Sequence, residues 1–409
     1  MTDELTSSET EIIPEGFHHL DWVKGFGRQM GPMYHRDLGD GDYIRGFRVL
    51  DHHLNGGGMC HGGMLMSFAD ISFGHVISEK LNRGWVTVRL TTDFAKSAMP
   101  GDWVEGMGEI AGYDDDFCTV KGRLWALAHP MSEHRITVRG CEIVYHLWGD
   151  QSRPGLMLVH GNGAHSRWWQ FIAPFFTELY QVAAINLSGM GESGWRDSYN
   201  FDNFQAEIHA AMDDAGFFDR DEKPVLCGHS FGGFCTTISA AKWGEELAAA
   251  VIVDSPIGPR PNRPKPRELI RPHRIYPSVE AAVERFRLAP PQPCANQYLV
   301  EFVGKHSLKP ATDEDGTEGF TWRFDPQIWR RFATEDMEKH LANLQCPAAI
   351  IYGEHSDLLS PELAAFMSVQ TGGAPRIAIP DARHHVMLDQ PLAFVATLRG
   401  LLATWPGQD

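Results

Sequence analysis

The stretch GHSFGG, Gly228 to Gly233, sets a serine among glycines, directly after the apolar run VLC and before small and apolar residues. That context predicts a strand, a sharp turn and a helix, with the Ser230 hydroxyl lifted clear at the turn. A serine hydroxyl is a weak nucleophile near neutral pH, so a base must take its proton and an acid must orient that base. The expected chain order is Ser, then acid, then His. His384 in RIAIPDARHHVMLDQP follows the last apolar strand and is the predicted base; its distance to Pro391 favours it over His385. Two acids fit: Asp357 in YGEHSDLLSP, after the penultimate strand, and Asp254 in VIVDSP, after the strand that follows the nucleophile helix. His160-Gly161-Asn162-Gly163 follows the strand GLMLV, and glycines there let backbone N–H groups approach a developing oxyanion. The amides of Asn162 and Phe231 are the predicted donors.

A second group of residues lies far upstream, in NGGGMCHGGMLMSFAD, Asn55 to Asp70. Gly62 opens a helix preceded by glycines, and a helix N-terminus offers free N–H groups and the positive end of a dipole. That suits a carbonyl oxygen acquiring charge. Asp70 follows about two turns later on the same helix. Its carboxylate could activate water or attack a thioester carbonyl.

The elements that must carry these residues fall into two modules. Residues 1–15 are a polar lead-in. Residues 16–130 read as short alternating strands around one helix: DYIRGFRVL, the helix GGMLMSFADISFGHVISEKL, then WVTVRLTTDFA, DWVEGMGEIAGY and FCTVKGRLWALA. Residues 131–409 change rhythm. The hairpin HRITVRG/CEIVYHLWG leads into short buried-type runs, from GLMLV to APRIAIP, separated by helical segments such as SRWWQFIAPFFTEL and FGGFCTTISAAKW. Such alternation predicts a mostly parallel sheet with helices on both faces. Residues 257–338, rich in Pro, Arg and aromatics, read as a helical cap. If HRITVRG belongs to the second module, the first is a strand short.

Composition sets limits. The 409 residues carry a net charge of −17, which disfavours nucleic acid or an anionic membrane as partner. No apolar run approaches a membrane span, and the acidic N-terminus does not resemble a secretory signal. Seven scattered cysteines without a C-x-x-C pair predict reduced thiols in a cytoplasm. Metal-ligand spacing is absent, and neither metal nor cofactor is expected.

Residues from about 134 onward resemble the α/β-hydrolase superfamily, through HGNG, NLSGMGESGW, GHSFGG, DSP and ARHHVMLDQP. Asn186 stands where that family often has Asp. A serine nucleophile disfavours epoxide hydrolase and dehalogenase chemistry. The resemblance implies attack on an ester, thioester, amide or activated C–C bond through an acyl-enzyme. Residues 45–127 resemble the hotdog-fold thioesterases of the phenylacetic-acid-degradation type, an α+β fold with a helix wrapped by antiparallel sheet. That resemblance implies that the Gly62 N–H polarises the thioester carbonyl, Asp70 supplies the carboxylate, and Asn55 and Thr87 support them, Thr87 helping to hold a water. It also implies a homo-oligomer, with Gly62 and Asp70 of one site coming from different subunits. The expected protein is a bifunctional hydrolase of small acyl esters or acyl-CoA. The alternatives are a single-activity hydrolase whose hotdog domain only dimerises or binds acyl groups, and a non-catalytic receptor on the same folds.

Overall fold

The computed structural model describes residues 13–14, 16–20, 25–56, 58–94, 98, 101–127, 131–259, 274–312, 315–333 and 335–405. Most of the lead-in and residues 260–273 of the cap lie outside them. The chain divides into two compact units, Met1–Pro130 and Met131–Asp409. No described helix is long and apolar enough to cross a membrane.

In the first unit, β1 (His18–His19), β2 (Tyr34–Gly39), β3 (Asp42–Arg48), β4 (Trp103–Tyr113) and β5 (Cys118–Leu127) form one antiparallel sheet in that order. A short helix α1 (Phe26–Met30) precedes β2, and α2 (Gly62–Leu81) is the long helix read from the sequence. The His61 imidazole caps α2 by accepting from the Gly63 N–H at 2.8 Å. Asn82, left-handed at φ 49°, ends it. Glycines in the sheet let α2 come close: a Cβ on Gly106 would meet Phe68 at 3.1 Å, and one on Gly122 would meet Phe73 at 2.5 Å. Phe47, Phe68, Met33 and Val104 fill the space between the layers.

WVTVRLTTDFA departs from its reading as a strand. Residues 85–94 carry no strand and make no backbone hydrogen bond among the described residues. Val86 is 88% exposed and Val88 83%. The alternation is present, but a strand also needs a neighbour to pair with. Among the described residues no strand pairs with this segment, and after β5 the chain passes into the second unit.

The second unit opens with β6 (Ser132–Val138) and β7 (Cys141–Trp148), an antiparallel hairpin, followed by β8 (Gly155–Val159) and β9 (Gln181–Ile185). Then come β10 (Tyr199–Asn200), α3 (Phe201–Asp214), β11 (Val225–His229), α4 (Phe231–Trp243) and β12 (Ala249–Val253). The cap holds α5 (Val279–Val283), α6 (Gln297–His306), β13 (Leu308–Thr312), β14 (Glu318–Trp322) and β15 (Phe332–Ala333). After it come α7 (Met337–Leu341), β16 (Ala348–Gly353), α8 (Pro361–Gln370), β17 (Arg376–Ile379), α9 (Val386–Asp389) and α10 (Pro391–Leu402). The main sheet runs β17-β16-β12-β11-β8-β9-β7-β6, parallel from β17 to β9. Its central strands are buried along their whole length, as their unbroken Val, Ile, Leu and Ala runs require.

Two expectations fail in detail. SRWWQFIAPFFTEL forms two short 3-10 turns, Ser166–Trp169 and Ala173–Phe175, because Pro174 lacks the N–H that a continuing helix would use. The cap is not purely helical: β13 and β14 pair as an antiparallel hairpin.

Candidate active site

Every chemically competent loop of the second unit leaves the carboxyl end of a parallel strand: His160 after β8, Ser230 after β11, Asp254 after β12 and His384 after β17. Open parallel sheets gather ligands and reacting groups at that edge. Ser230 takes φ 54° and ψ −114°, a strained turn for a residue with a side chain. Its glycine neighbours are obligatory. A Cβ on Gly228 would lie 2.3 Å from the Gly232 carbonyl oxygen, and one on Gly232 would lie 2.5 Å from that of Val159.

The His384 Nε2 lies 3.0 Å from the Ser230 hydroxyl, and its Nδ1 lies 2.8 Å from Asp254 Oδ1. A carboxylate accepts only, so Nδ1 carries the proton and Nε2 is left to accept from the serine. Asp254 is fully buried and held from two more sides: Oδ2 accepts from the Gly353 N–H at 2.8 Å, and Oδ1 from the Ser356 hydroxyl at 2.7 Å. Asp357, the other acid the sequence offered, is exposed and makes no hydrogen bond to His384. The turn after β16 points the Ser356 hydroxyl and the Gly353 amide inward at Asp254, and the next residue faces solvent.

The oxyanion side is equally ordered. Neither the Asn162 nor the Phe231 amide donates to a backbone carbonyl among the described residues. Phe231 is the first residue of α4, where amides lack intrahelical acceptors. The HGNG loop is pinned by His160, which sequence reading treated only as part of a turn. Its Nε2 accepts from the Leu187 N–H at 3.1 Å, so Nδ1 donates to the Gly161 carbonyl at 2.7 Å. Burial holds its pKa down at about 4, which keeps the imidazole neutral and this arrangement intact. Asn186 serves the same loop: Oδ1 accepts from the Ser166 N–H at 2.8 Å, and Nδ2 donates to Glu192.

Two further imidazoles crowd His384. His229 Nε2 donates to the His384 carbonyl at 2.9 Å, and burial with the neighbouring imidazoles holds its pKa well below the usual range. His385 is buried beside the cavity, and burial, then His384, pushes it down to about 3. Ring nitrogens of the three lie within 4.8 Å of one another, the spacing a metal would need. Both nitrogens of His384 are engaged with Ser230 and Asp254. Ser356, His160 and His229 were missed from sequence because nothing in their local spacing reports a partner brought in by folding.

Ser230 opens into a cavity of about 340 Å³ walled by Trp168, Phe286, Trp322, Phe324 and Trp329. In the first unit, Thr87 Oγ1 donates to Asp70 Oδ1 at 2.5 Å. The Gly62 amide has no backbone acceptor among the described residues. Asn55 instead shapes its own turn, its backbone and side-chain carbonyls both receiving local amides.

The model described as the alpha/beta hydrolase family matches residues 156–398, and that of the thioesterase superfamily matches residues 57–129. A Pseudomonas aeruginosa protein bearing an esterase name, PA0474, is 34% identical over 95 residues, 23% of this chain and 71% of that protein. Pimeloyl-[acyl-carrier protein] methyl ester esterase of Aliivibrio fischeri is 23% identical over 256 residues, 60% of this chain and 93% of that one. Epoxide hydrolase 4 of Mus musculus is 29% identical over 30% of this chain, and the chain spans only 34% of its length. Among solved structures, a thioesterase domain from the curacin biosynthetic pathway matches with a TM-score of 0.56 at 22% identity, covering 68% of this chain and all of that one. At that identity the likeness speaks to the fold.

Proposed function

Because the chain belongs to the alpha/beta hydrolase family and carries a hotdog domain of the thioesterase superfamily, we propose that it is a bifunctional acyl hydrolase whose principal site is Ser230. The observation that carries this reading is the unbroken hydrogen-bond chain from Ser230 through His384 to Asp254. In it, Ser230 Oγ attacks the carbonyl carbon of an ester or thioester while its proton passes to His384 Nε2. The oxyanion forms against the amides of Asn162 and Phe231, and such a donor contributes about 3 kcal/mol. His384 then returns the proton to the leaving alcohol or thiol, and an acyl-enzyme remains. Water, deprotonated by the same nitrogen, releases the acid and restores the serine. Asp254 keeps the imidazole in the tautomer that accepts from Ser230. Ser230→Ala should lower ester turnover by several orders of magnitude with an unchanged circular dichroism spectrum; wild-type turnover in that variant would end the reading.

For the first unit the reading is acyl-CoA hydrolysis, with Asp70 supplying the carboxylate and the Gly62 amide polarising the carbonyl. Eight residues of helix separate them, about 12 Å along its axis. One thioester cannot engage both within one chain, so the site needs a second copy, and the protein is read as a homo-oligomer. Asp70→Asn should abolish acyl-CoA turnover that survives Ser230→Ala. Unaltered turnover would favour the second reading, in which this domain only dimerises. The exposed Val86 and Val88 support a second copy under either reading. Seven free thiols accord with a cytoplasmic location.

A further inference from the structure

The cavity at Ser230 is small and its charge is unbalanced. At about 340 Å³ it sits near the lower end of ligand pockets, which suits a short substrate. Five Trp and Phe rings line it, and Arg285, Arg287 and Asp325 do so as well. Asp325 is already matched: it is buried, accepts from the Tyr199 hydroxyl at 2.8 Å and the Gln327 N–H at 2.8 Å, and lies 3.3 Å from the Arg331 guanidinium. The two arginines are not matched. Arg287 spends one nitrogen on the carbonyls of Glu284 and Phe286, at 2.8 and 2.6 Å. Neither arginine has a carboxylate partner among the described residues, although the chain carries a net charge of −17. Both residues are exposed overall while lining the cavity, which sets them at its solvent side, and Ser230 is half-buried. His229 and His385 line the same cavity and are held neutral by burial, so they add no charge of their own.

We infer that the natural substrate of this site is an ester bearing a carboxylate remote from the scissile bond, a half-ester of a short dicarboxylic acid, which Arg285 and Arg287 hold at the cavity rim. The inference rests on the hydrolase reading and deepens it. A guanidinium presents a planar fork that matches a carboxylate. The aromatic walls take the apolar body of the acid, with the ester carbonyl placed at Ser230 and the far carboxylate at the two arginines of the same cavity. A volume of about 340 Å³ suits a compact acid carrying its own carboxylate better than a long thiol carrier, whose bulk would lie outside.

The test compares hydrolysis of monomethyl glutarate, adipate and phthalate with that of their dimethyl esters, and of an acyl-phosphopantetheine with its dephosphorylated form. The half-esters should show kcat/KM about tenfold above the neutral diesters, and the advantage should shrink as salt is added. In an Arg285→Gln/Arg287→Gln double variant that ratio should collapse towards one, and Arg285→Lys should restore part of it. A second readout does not need turnover: in Ser230→Ala, the free dicarboxylates should quench the fluorescence of the cavity tryptophans, and the double variant should lose this. Equal rates on half-esters and diesters, with no salt dependence, would overturn the inference while leaving the hydrolase reading intact. A preference for the phosphorylated carrier would overturn it in favour of a phosphate. Arginine-dependent quenching without hydrolysis of any ester would uphold the anion site and sink the esterase reading.

Discussion

Replacing Asp254 by Asn separates the two acids that the sequence left open, and the geometry fixes what it should do. Oδ2 receives the Gly353 amide, and Oδ1 faces both the Ser356 hydroxyl and His384 Nδ1. An asparagine has one oxygen for these two positions. If it keeps the Gly353 amide, its NH2 faces Nδ1, which must then be the unprotonated nitrogen. The proton moves to Nε2, and the imidazole no longer accepts from Ser230. If the oxygen keeps Nδ1, the NH2 meets the Gly353 N–H, and two buried donors face each other at a cost of about 1–3 kcal/mol. The first arrangement avoids that clash and is the inactive one. The analogous change in a serine protease lowers kcat about 10⁴-fold, which corresponds to roughly 5.5 kcal/mol of barrier. We expect a fall of that order for Asp254→Asn, measured as kcat on a neutral methyl ester, with folding checked by circular dichroism. Asp357→Asn should change kcat less than about twofold, as surface substitutions away from a site do. A folded Asp254→Asn enzyme with more than about a tenth of wild-type kcat would refute the reasoning, since the wrong tautomer should cost far more. So would a comparable loss in Asp357→Asn.

Other outcomes follow from the same geometry. His146 and His160 are buried, and burial lowers each from 6.5 to about 4. The unfolded chain therefore binds more protons between those values, so the stabilisation is complete above pH 6.5 and is lost as pH falls towards 4. Each group accounts for on the order of 3 kcal/mol at most. Urea midpoints should fall steadily across that window, and a flat profile would contradict the assignment of neutral buried imidazoles. Gly228→Ala forces a Cβ to within 2.3 Å of the Gly232 carbonyl oxygen and Thr236 Oγ1, and should cost about 2 kcal/mol or more in thermal unfolding. A variant with wild-type stability would mean that the turn has room the structure denies. Val86→Glu/Val88→Glu places charge on one exposed face of residues 85–94 and should shift the mass in light scattering to that of a single chain; an unmoved oligomer would remove that face from the interface.

The legible parts of the sequence were those fixed by local rules. The helix 62–81 was readable from its spacing and its glycine entry, and the strand–turn–helix around Ser230 from three glycines whose Cβ positions are occupied by backbone or side-chain atoms. What stayed illegible depended on partners distant in sequence. Asp254 and Asp357 are both carboxylates after strands, and only the inward turn of Gly353 and Ser356 decides between them. Residues 85–94 alternate as a strand should, but alternation specifies a face and says nothing about whether a neighbouring strand exists. The cap hairpin of β13 and β14 pairs Pro310 opposite Phe320, a short edge pairing whose Pro, Gly and charged residues mask the signal.

The account turns on the Ser230 oxygen acting as the nucleophile. Treating the intact protein with a fluorophosphonate and mapping the adduct by mass spectrometry tests this most directly. The expected result is one adduct on the peptide containing Ser230, absent from Ser230→Ala and slowed in His384→Ala. Full ester turnover with no adduct, or an adduct on another residue, would contradict it.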